Sequence, residues 1–295
     1  MSGVYHRGSL AVQERVGVRG PAEHVGRSIG TGIRDVAAAF LELQPHLVVG
    51  AADGVGRMWA SLLTGPPGFV RATGPHRIAV VAGAPAGDPL AEALATDGTR
   101  IGTIALDPRT RRRMRLNGTV AATPRGFAVE AERVFANCPK YLQRRQPLEL
   151  VEEGVGVLRH GDALTPGQVG AVRGADTFFI ATTAEADGVD ASHRGGLPGF
   201  VEVLSPVELA WPDYAGNAMF LTLGNLTVDP RAGLLFPDWE SGAVLQLSGR
   251  ARTEFGADGS RRTRFRVESV VESVHPGRLL WSTPEYSPHL GSTTR

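Results

Sequence analysis

Ser192, His193 and Arg194 stand side by side in the stretch 190–201, Asp-Ala-Ser-His-Arg-Gly-Gly-Leu-Pro-Gly-Phe-Val. A hydroxyl, an imidazole and a guanidinium are followed by Gly195, Gly196 and Gly199. Such a segment can offer a cation and open backbone N–H groups to an anion. Alternation along a strand sets Ser192 and Arg194 on one face and His193 on the other. Ser192 and Arg194 can then grip one anion together, although a surface strand end with a solvated arginine fits the same residues. A weaker copy occurs at 59–70: Ser61, Gly65, Pro67, Gly68, Phe69 and Val70 fall 131 positions before Ser192, Gly196, Pro198, Gly199, Phe200 and Val201. Leu62 and Leu63 stand there in place of His193 and Arg194, so only the later copy carries the polar head.

Two further stretches are asymmetric in the same way. Trp-Pro-Asp-Tyr-Ala-Gly-Asn at 211–217 and Leu-Gly-Asn at 223–225 bring Asp213, Tyr214, Asn217 and Asn225. Their counterparts at 80–86 and 92–94 lack these groups. Asn217 is placed to cap a helix over 217–227, although Gly224 weakens that helix. If the two segments lie close, such a cap sets helix N–H groups where a phosphate held by Arg194 would be stabilised. The asymmetry reverses at 137–145, Asn-Cys-Pro-Lys-Tyr-Leu-Gln-Arg-Arg. Lys140, Arg144 and Arg145 supply cations there and Tyr141 an aromatic face; an exposed basic helix is the alternative.

The elements that position these residues repeat. An offset of 131 aligns 47–118 with 178–249 without a gap, and the shared positions are mostly small, turn-forming or apolar. This predicts a domain duplication rather than a solenoid. Residues 1–28 show no clear period and read as an arm. A helix is expected over 29–43, with Ile33, Val36, Ala37, Phe40 and Leu43 on one face. Strands are expected at 48–52, 57–63, 77–82, 101–107, 113–121 and 127–135, with a short helix at 88–95. After a connection over 147–164, a helix capped by Thr165 opens the second copy. Its strands are expected at 177–183, 188–192, 200–204, 208–211, 232–237, 244–254 and 263–274. The fold class is thus mainly β with short helices, an α+β chain of two tandem six-stranded barrels at 29–146 and 165–282. A tail follows at 283–295.

Composition narrows the function classes. The net charge is +1, so neither a nucleic-acid surface nor a membrane anchor is expected. The cluster Arg109, Arg111, Arg112, Arg113 and Arg115 reads as a solvated strand face or turn. Cys138 is the single cysteine, which excludes an internal disulfide; it reads as a buried, inert thiol rather than a reactive one. No apolar run approaches the ~20 residues of a membrane span, and the first residues lack the apolar core of a signal peptide. A cytoplasmic protein is expected. No metal-ligand spacing, phosphate loop, nucleophile elbow or dinucleotide fingerprint occurs.

The pattern S-x-R-G-G-x-P-G-F at 192–200, then P-D-Y-x-G-N at 212–217 and L-G-N at 223–225, resembles the pyridoxamine 5'-phosphate oxidase-like, FMN-binding split-barrel proteins. The segment 137–145 resembles one that follows the barrel in that superfamily. The resemblance implies six-stranded split barrels that pair, with FMN at the interface and contacts from both. Here a tandem chain forms the pair as a pseudo-dimer, which exists as a monomer or associates further as a homodimer. One composite site is expected, from Ser192, His193, Arg194, Gly195, Gly196, Asp213, Asn217 and Asn225 in the second barrel and Lys140, Tyr141 and Arg144 in the first. Arg194, Ser192 and Lys140 would hold the phosphate. A flavin-dependent oxidoreductase with a small-molecule substrate follows, with F420 or haem as alternative ligands of the same barrel. Ala218 departs from relatives with a basic or amide residue after Gly-Asn, and no vitamin B6 oxidation is implied.

Overall fold

The computed structural model describes residues 4–136, 140–151, 157–184, 188–274 and 278–290. The Cys138 thiol lies outside them. Helices α1 (Arg7–Val16), α2 (Arg19–Gly26) and α3 (Asp35–Glu42) open the chain. The first half continues with β1 (His46–Ala52), β2 (Met58–Thr64), β3 (Val70–Gly74), β4 (Arg77–Val80), α4 (Ala91–Leu94), β5 (Arg100–Asp107), β6 (Arg112–Thr123) and β7 (Gly126–Ala136). Strands β8 (Pro147–Val151) and β9 (Val157–Gly161) and helix α5 (Pro166–Gly174) connect it to the second. There follow β10 (Thr177–Thr183), β11 (Val189–Gly195), β12 (Glu202–Ser205), β13 (Glu208–Pro212), α6 (Leu221–Val228), β14 (Arg231–Pro237), β15 (Ala243–Phe255), β16 (Arg261–Val274) and β17 (Arg278–Trp281).

The chain is mainly β, with antiparallel sheets and short helices. One seven-stranded sheet runs β2-β1-β5-β6-β7-β4-β3, and the other runs β11-β10-β14-β15-β16-β13-β12. The two orders are the same when each strand is matched to its counterpart. The pairs β1/β10, β2/β11, β4/β13, β5/β14 and β6/β15 each begin 131 positions apart. Sequence reading missed β3, a short strand paired only to β4, because its burial alternates weakly. The connection 147–164 is also more ordered than expected: β9 pairs with β16 and β8 with β17.

Strand alternation explains how the halves meet. Leu47, Val49 and Ala51 of β1 enter the core of the first half, while Val48 enters a shared core with Met58 and Ala60. Phe178 and Ile180 of β10 enter the second half's core, while Phe179 and Ala181 enter the shared one. Both faces of these strands are therefore apolar, as in sheets covered on two sides. Backbones approach closely at small residues. A Cβ on Gly50 would lie 2.6 Å from the Cβ of Ala181, its counterpart 131 positions on. A Cβ on Gly102 would lie 2.7 Å from Asp190 Cα, and one on its counterpart Gly233 would lie 2.5 Å from Trp59 Cα. Each of these contacts has its reciprocal 131 positions away.

The described part of the stretch read as an arm, residues 4–28, is largely helical and packed. Helix α1 crosses α6 so closely that a Cβ on Gly8 would meet the Gly224 carbonyl oxygen at 2.2 Å. Its buried face carries Ser9, Val12 and Gln13, so hydrogen bonds rather than an apolar stripe hold it and no period was visible. Helix α5 begins where expected, with Thr165 and Gln168 forming a capping box. Helix α3 starts at Asp35, later than position 29. Among the described residues, no helix is long and apolar enough to cross a membrane.

Candidate functional site

A cavity of about 110 Å3 opens where β11, β13 and the start of α6 meet β6 and the segment after β7. Its walls bring together eight of the expected residues: Lys140, Tyr141, Ser192, His193, Arg194, Gly195, Asp213 and Asn217. Strand β11 presents the first group. Arg194 Nη1 donates to the Ser192 hydroxyl at 3.0 Å and to the His193 carbonyl at 3.2 Å. The two side chains lie on one face of the strand, as alternation predicts.

Glycines at the end of β11 admit the first half. A Cβ on Gly195 would lie 2.0 Å from the Tyr141 carbonyl oxygen, so only glycine lets the segment dock. Gln143 Nε2 donates to the Gly196 carbonyl at 3.1 Å. The Gly196 N–H donates to the Asp176 carbonyl at 3.0 Å and is not offered to a ligand. Gly196 stands outside the cavity lining, and its role is to dock chain against chain. The Tyr141 hydroxyl donates to the Ala215 carbonyl at 2.9 Å, and its ring lies 5.2 Å from that of Tyr214. Burial raises the Tyr214 pKa. Lys140 sits beside this aromatic pair with its carbonyl accepting from the Ser287 hydroxyl.

Helix α6 closes the far wall. It begins at Leu221, not at Asn217, and the Asn217 carboxamide oxygen instead accepts from Met219 N at 3.2 Å. Ala218 and Phe220 have φ values of 62° and 51°, left-handed for residues that are not glycine. A bulky residue in that region is strained. The turn brings Leu221, Thr222 and Leu223 to the cavity wall, and the first N–H groups of a helix have no partner within it. They form the anion-favouring end of the helix dipole.

The charge balance favours an anion. Arg115 lines the cavity and is neutralised by a buried ion pair with Asp190. Asp213 accepts from Arg261 Nε at 2.9 Å and is neutralised in turn. Among the described residues, no carboxylate pairs with Arg194 or Lys140. Burial lowers the Arg194 pKa, with Arg115 acting in the same sense and Asp213 and Asp190 opposing; a guanidinium remains charged across the physiological range. Burial, then Arg113 and Arg194, lower the His193 pKa well below its ordinary value, so the ring is neutral. Its Nδ1 lies 3.1 Å from Arg113 Nη1 and accepts from it, which leaves the proton on Nε2.

The counterpart location in the other half is filled. Ser61, matching Ser192, donates to Asp88 Oδ1 at 2.7 Å. Gln246, matching Arg115, donates to Ser61 Oγ at 2.9 Å and Asp88 Oδ2 at 3.2 Å. All three are buried, and the space that is a cavity beside Arg194 is a closed polar network there.

Two expected residues point elsewhere. Asn225 is buried, with its Oδ1 2.9 Å from His6 Nε2 and its Nδ2 donating to Thr182 Oγ1 at 2.9 Å. Arg144 pairs with Glu285 at 3.3 Å on the surface. Sequence reading missed Arg113 and Arg115, which it assigned to a solvated strand face. Arg115 is buried by the shared interface rather than solvated. The signal was available: Gln246 and Val244 replace these arginines in the second half, the same one-sided pattern as Arg194 and Leu63.

Neither a family model nor a curated protein matches the chain. Solved structures do. A candidate pyridoxamine 5'-phosphate oxidase from Lactobacillus delbrueckii matches at 16% identity and a TM-score of 0.31, over 37% of this chain and 94% of that one. HupZ of Group A Streptococcus matches at 13% identity and a TM-score of 0.31, over 39% of this chain and 98% of its own. A FAD-binding protein from Mesorhizobium loti matches at 12% identity and a TM-score of 0.28, over 40% and 99%. At these scores the likeness assigns neither a ligand nor a reaction to this chain.

Proposed function

We propose that the chain is a tandem pair of split-barrel halves folded as a pseudo-dimer, with one composite FMN site, and that it works as a flavin-dependent oxidoreductase. The observation that carries this reading is one cavity walled by Arg194 with Ser192, by Lys140 from the other half, and by the start of α6. That set of lining residues suits a phosphate, since a planar guanidinium, an ammonium and the first amides of a helix all favour an anion. The cavity's volume, about 110 Å3, suits a phosphate-sized group. The rest of a nucleotide would extend past Lys140 and the tilted rings of Tyr141 and Tyr214. Bound flavin would supply hydride or electron transfer. The protein's part is to hold the anion, to exclude water with the buried wall of β11, and to keep His193 neutral beside two arginines.

The test is the visible spectrum of the purified protein, followed by FMN titration read by fluorescence quenching. One flavin per chain is expected, with a band in the blue that bleaches on reduction. Arg194→Ala should weaken FMN binding at least tenfold, while Leu63→Met at the counterpart position should leave it unchanged. A Soret band, a deazaflavin spectrum, or equal losses in the two variants would overturn the reading.

A further inference from the structure

A second cavity, of about 350 Å3, lies beside the first, between α3 and the β6–β7 hairpin. Arg113 lines both. Behind it, the Arg115 guanidinium sits 4.7 Å from the centre of the Phe135 ring, so Arg115 lines the small cavity and Phe135 the larger. The larger cleft is apolar along its length. Val36 and Phe40, one helical turn apart on α3, line it with Met114, Val134 and Phe135. Val36 is 63% exposed, an apolar side chain left uncovered in a cleft wall.

The charged groups in that wall are of one sign. Arg34, Arg112 and Arg113 line the cleft and no Asp or Glu does. Among the described residues, neither Arg34 nor Arg112 is paired with a carboxylate. The Arg112 guanidinium stands 5.9 Å from the centre of the Phe40 ring, a cation at the edge of an apolar surface. An apolar floor with cations along its rim recognises a molecule with a flat or apolar body and a negative charge.

We propose that this cleft binds an apolar organic acid, an aromatic carboxylate or its like, and that such an acid is the substrate class of the adjoining site. The assignment as substrate rests on the flavin reading above; the recognition of the acid rests on the cleft alone. Arg112 and Arg34 hold the acid group, and Val36, Phe40 and Phe135 hold the body.

The full chain is titrated with 1-anilinonaphthalene-8-sulfonate, read by its fluorescence, and with the neutral N-phenyl-1-naphthylamine. A saturable site for the sulfonate is expected, with 1-naphthoate as a competitor and the neutral probe at least tenfold weaker. Arg112→Gln with Arg34→Gln should weaken the sulfonate about tenfold. Val36→Glu, at an exposed position, should do the same by repulsion. FMN titration of the same variants should match that of the parent protein. Wild-type binding of the sulfonate by the arginine variants, equal affinity for the neutral probe, or no saturable site would overturn the proposal. If the parent protein binds no flavin while these probe results hold, the flavin reading fails and the acid-binding cleft stands.

Discussion

Arg115 on β6 and Asp190 on β11 form an ion pair across the interface between the halves, and both are nearly inaccessible, at 4% and 5% exposure. Asn117 Nδ2 also donates to Asp190 Oδ1, at 3.1 Å. A buried pair of this kind does not by itself stabilise a fold, but breaking it leaves one charge uncompensated. Asp190→Leu is expected to cost about 3–5 kcal/mol. Adding Arg115→Met should recover most of that loss. Urea unfolding of the two single variants and the double variant measures it; additive losses would show that the pair is not coupled.

Gly50 and Ala181 meet where the two halves are closest, with 2.6 Å between the Ala181 Cβ and the position a Gly50 Cβ would take. Gly50→Ala should destabilise by about 1–3 kcal/mol through overpacking. Combining it with Ala181→Gly exchanges the two residues across the interface, and most of the stability should return. Denaturant midpoints decide this, and a double variant no better than the single one would contradict the two-fold contact.

Burial lowers the His46 pKa from 6.5 to about 4; Asp107 partly opposes this and Arg109 adds to it. The ring packs edge-on against Trp239 and Trp281 at 5.9 and 5.5 Å, and among the described residues neither nitrogen has a hydrogen-bond partner. The unfolded chain therefore takes up a proton near pH 6.5 that the folded chain refuses until about pH 4. This contribution is fully present above pH 6.5 and declines as pH falls toward 4, by roughly 3 kcal/mol in all. His193 acts in the same direction. His46→Phe should flatten part of the slope of stability against pH across that window. An unchanged slope would show that His46 is protonated or solvated in the folded chain.

Ser61 and Ser192 occupy matching positions with different partners. Ser61 bonds Asp88 and Gln246 in a closed network, and Ser192 bonds Arg194 at a cavity wall. Ser61→Ala strands two buried polar groups and should cost about 1–3 kcal/mol, with no effect on FMN binding. Ser192→Ala should leave stability nearly unchanged and weaken FMN binding about fivefold. Thermal unfolding and flavin titration of both variants separate the roles, and the same pattern in both would remove the distinction.

Much of this was legible in the sequence. The 131-residue offset located five pairs of matching strands, because turn-forming glycines and alternating apolar residues are local signals. The pairing of Ser192 with Arg194 followed from strand alternation alone, and Lys140 and Tyr141 from the reversed asymmetry between the copies. What was not legible depends on contacts between distant segments. Asn225 has a polar side chain and a suitable position, yet His6, 219 residues earlier, occupies it. Arg115 looked like one more surface arginine because nothing local says that β11 covers it. Asn217 has the chemistry of a helix cap, but Ala218 and Phe220 take left-handed backbone and delay the helix to Leu221. Helix α1 was invisible because it is held by Ser9, Gln13 and the close approach of Gly8 to Gly224.

The closed network of Ser61, Asp88 and Gln246 has a wider meaning. In a dimer of identical chains, any substitution enters both sites at once, so one site cannot be sealed while the other stays open. Here Asp88 and Met219 hold matching positions, as do Gln246 and Arg115, and each is inherited separately. A single polypeptide can therefore dedicate one location to ligand and convert the other into scaffold.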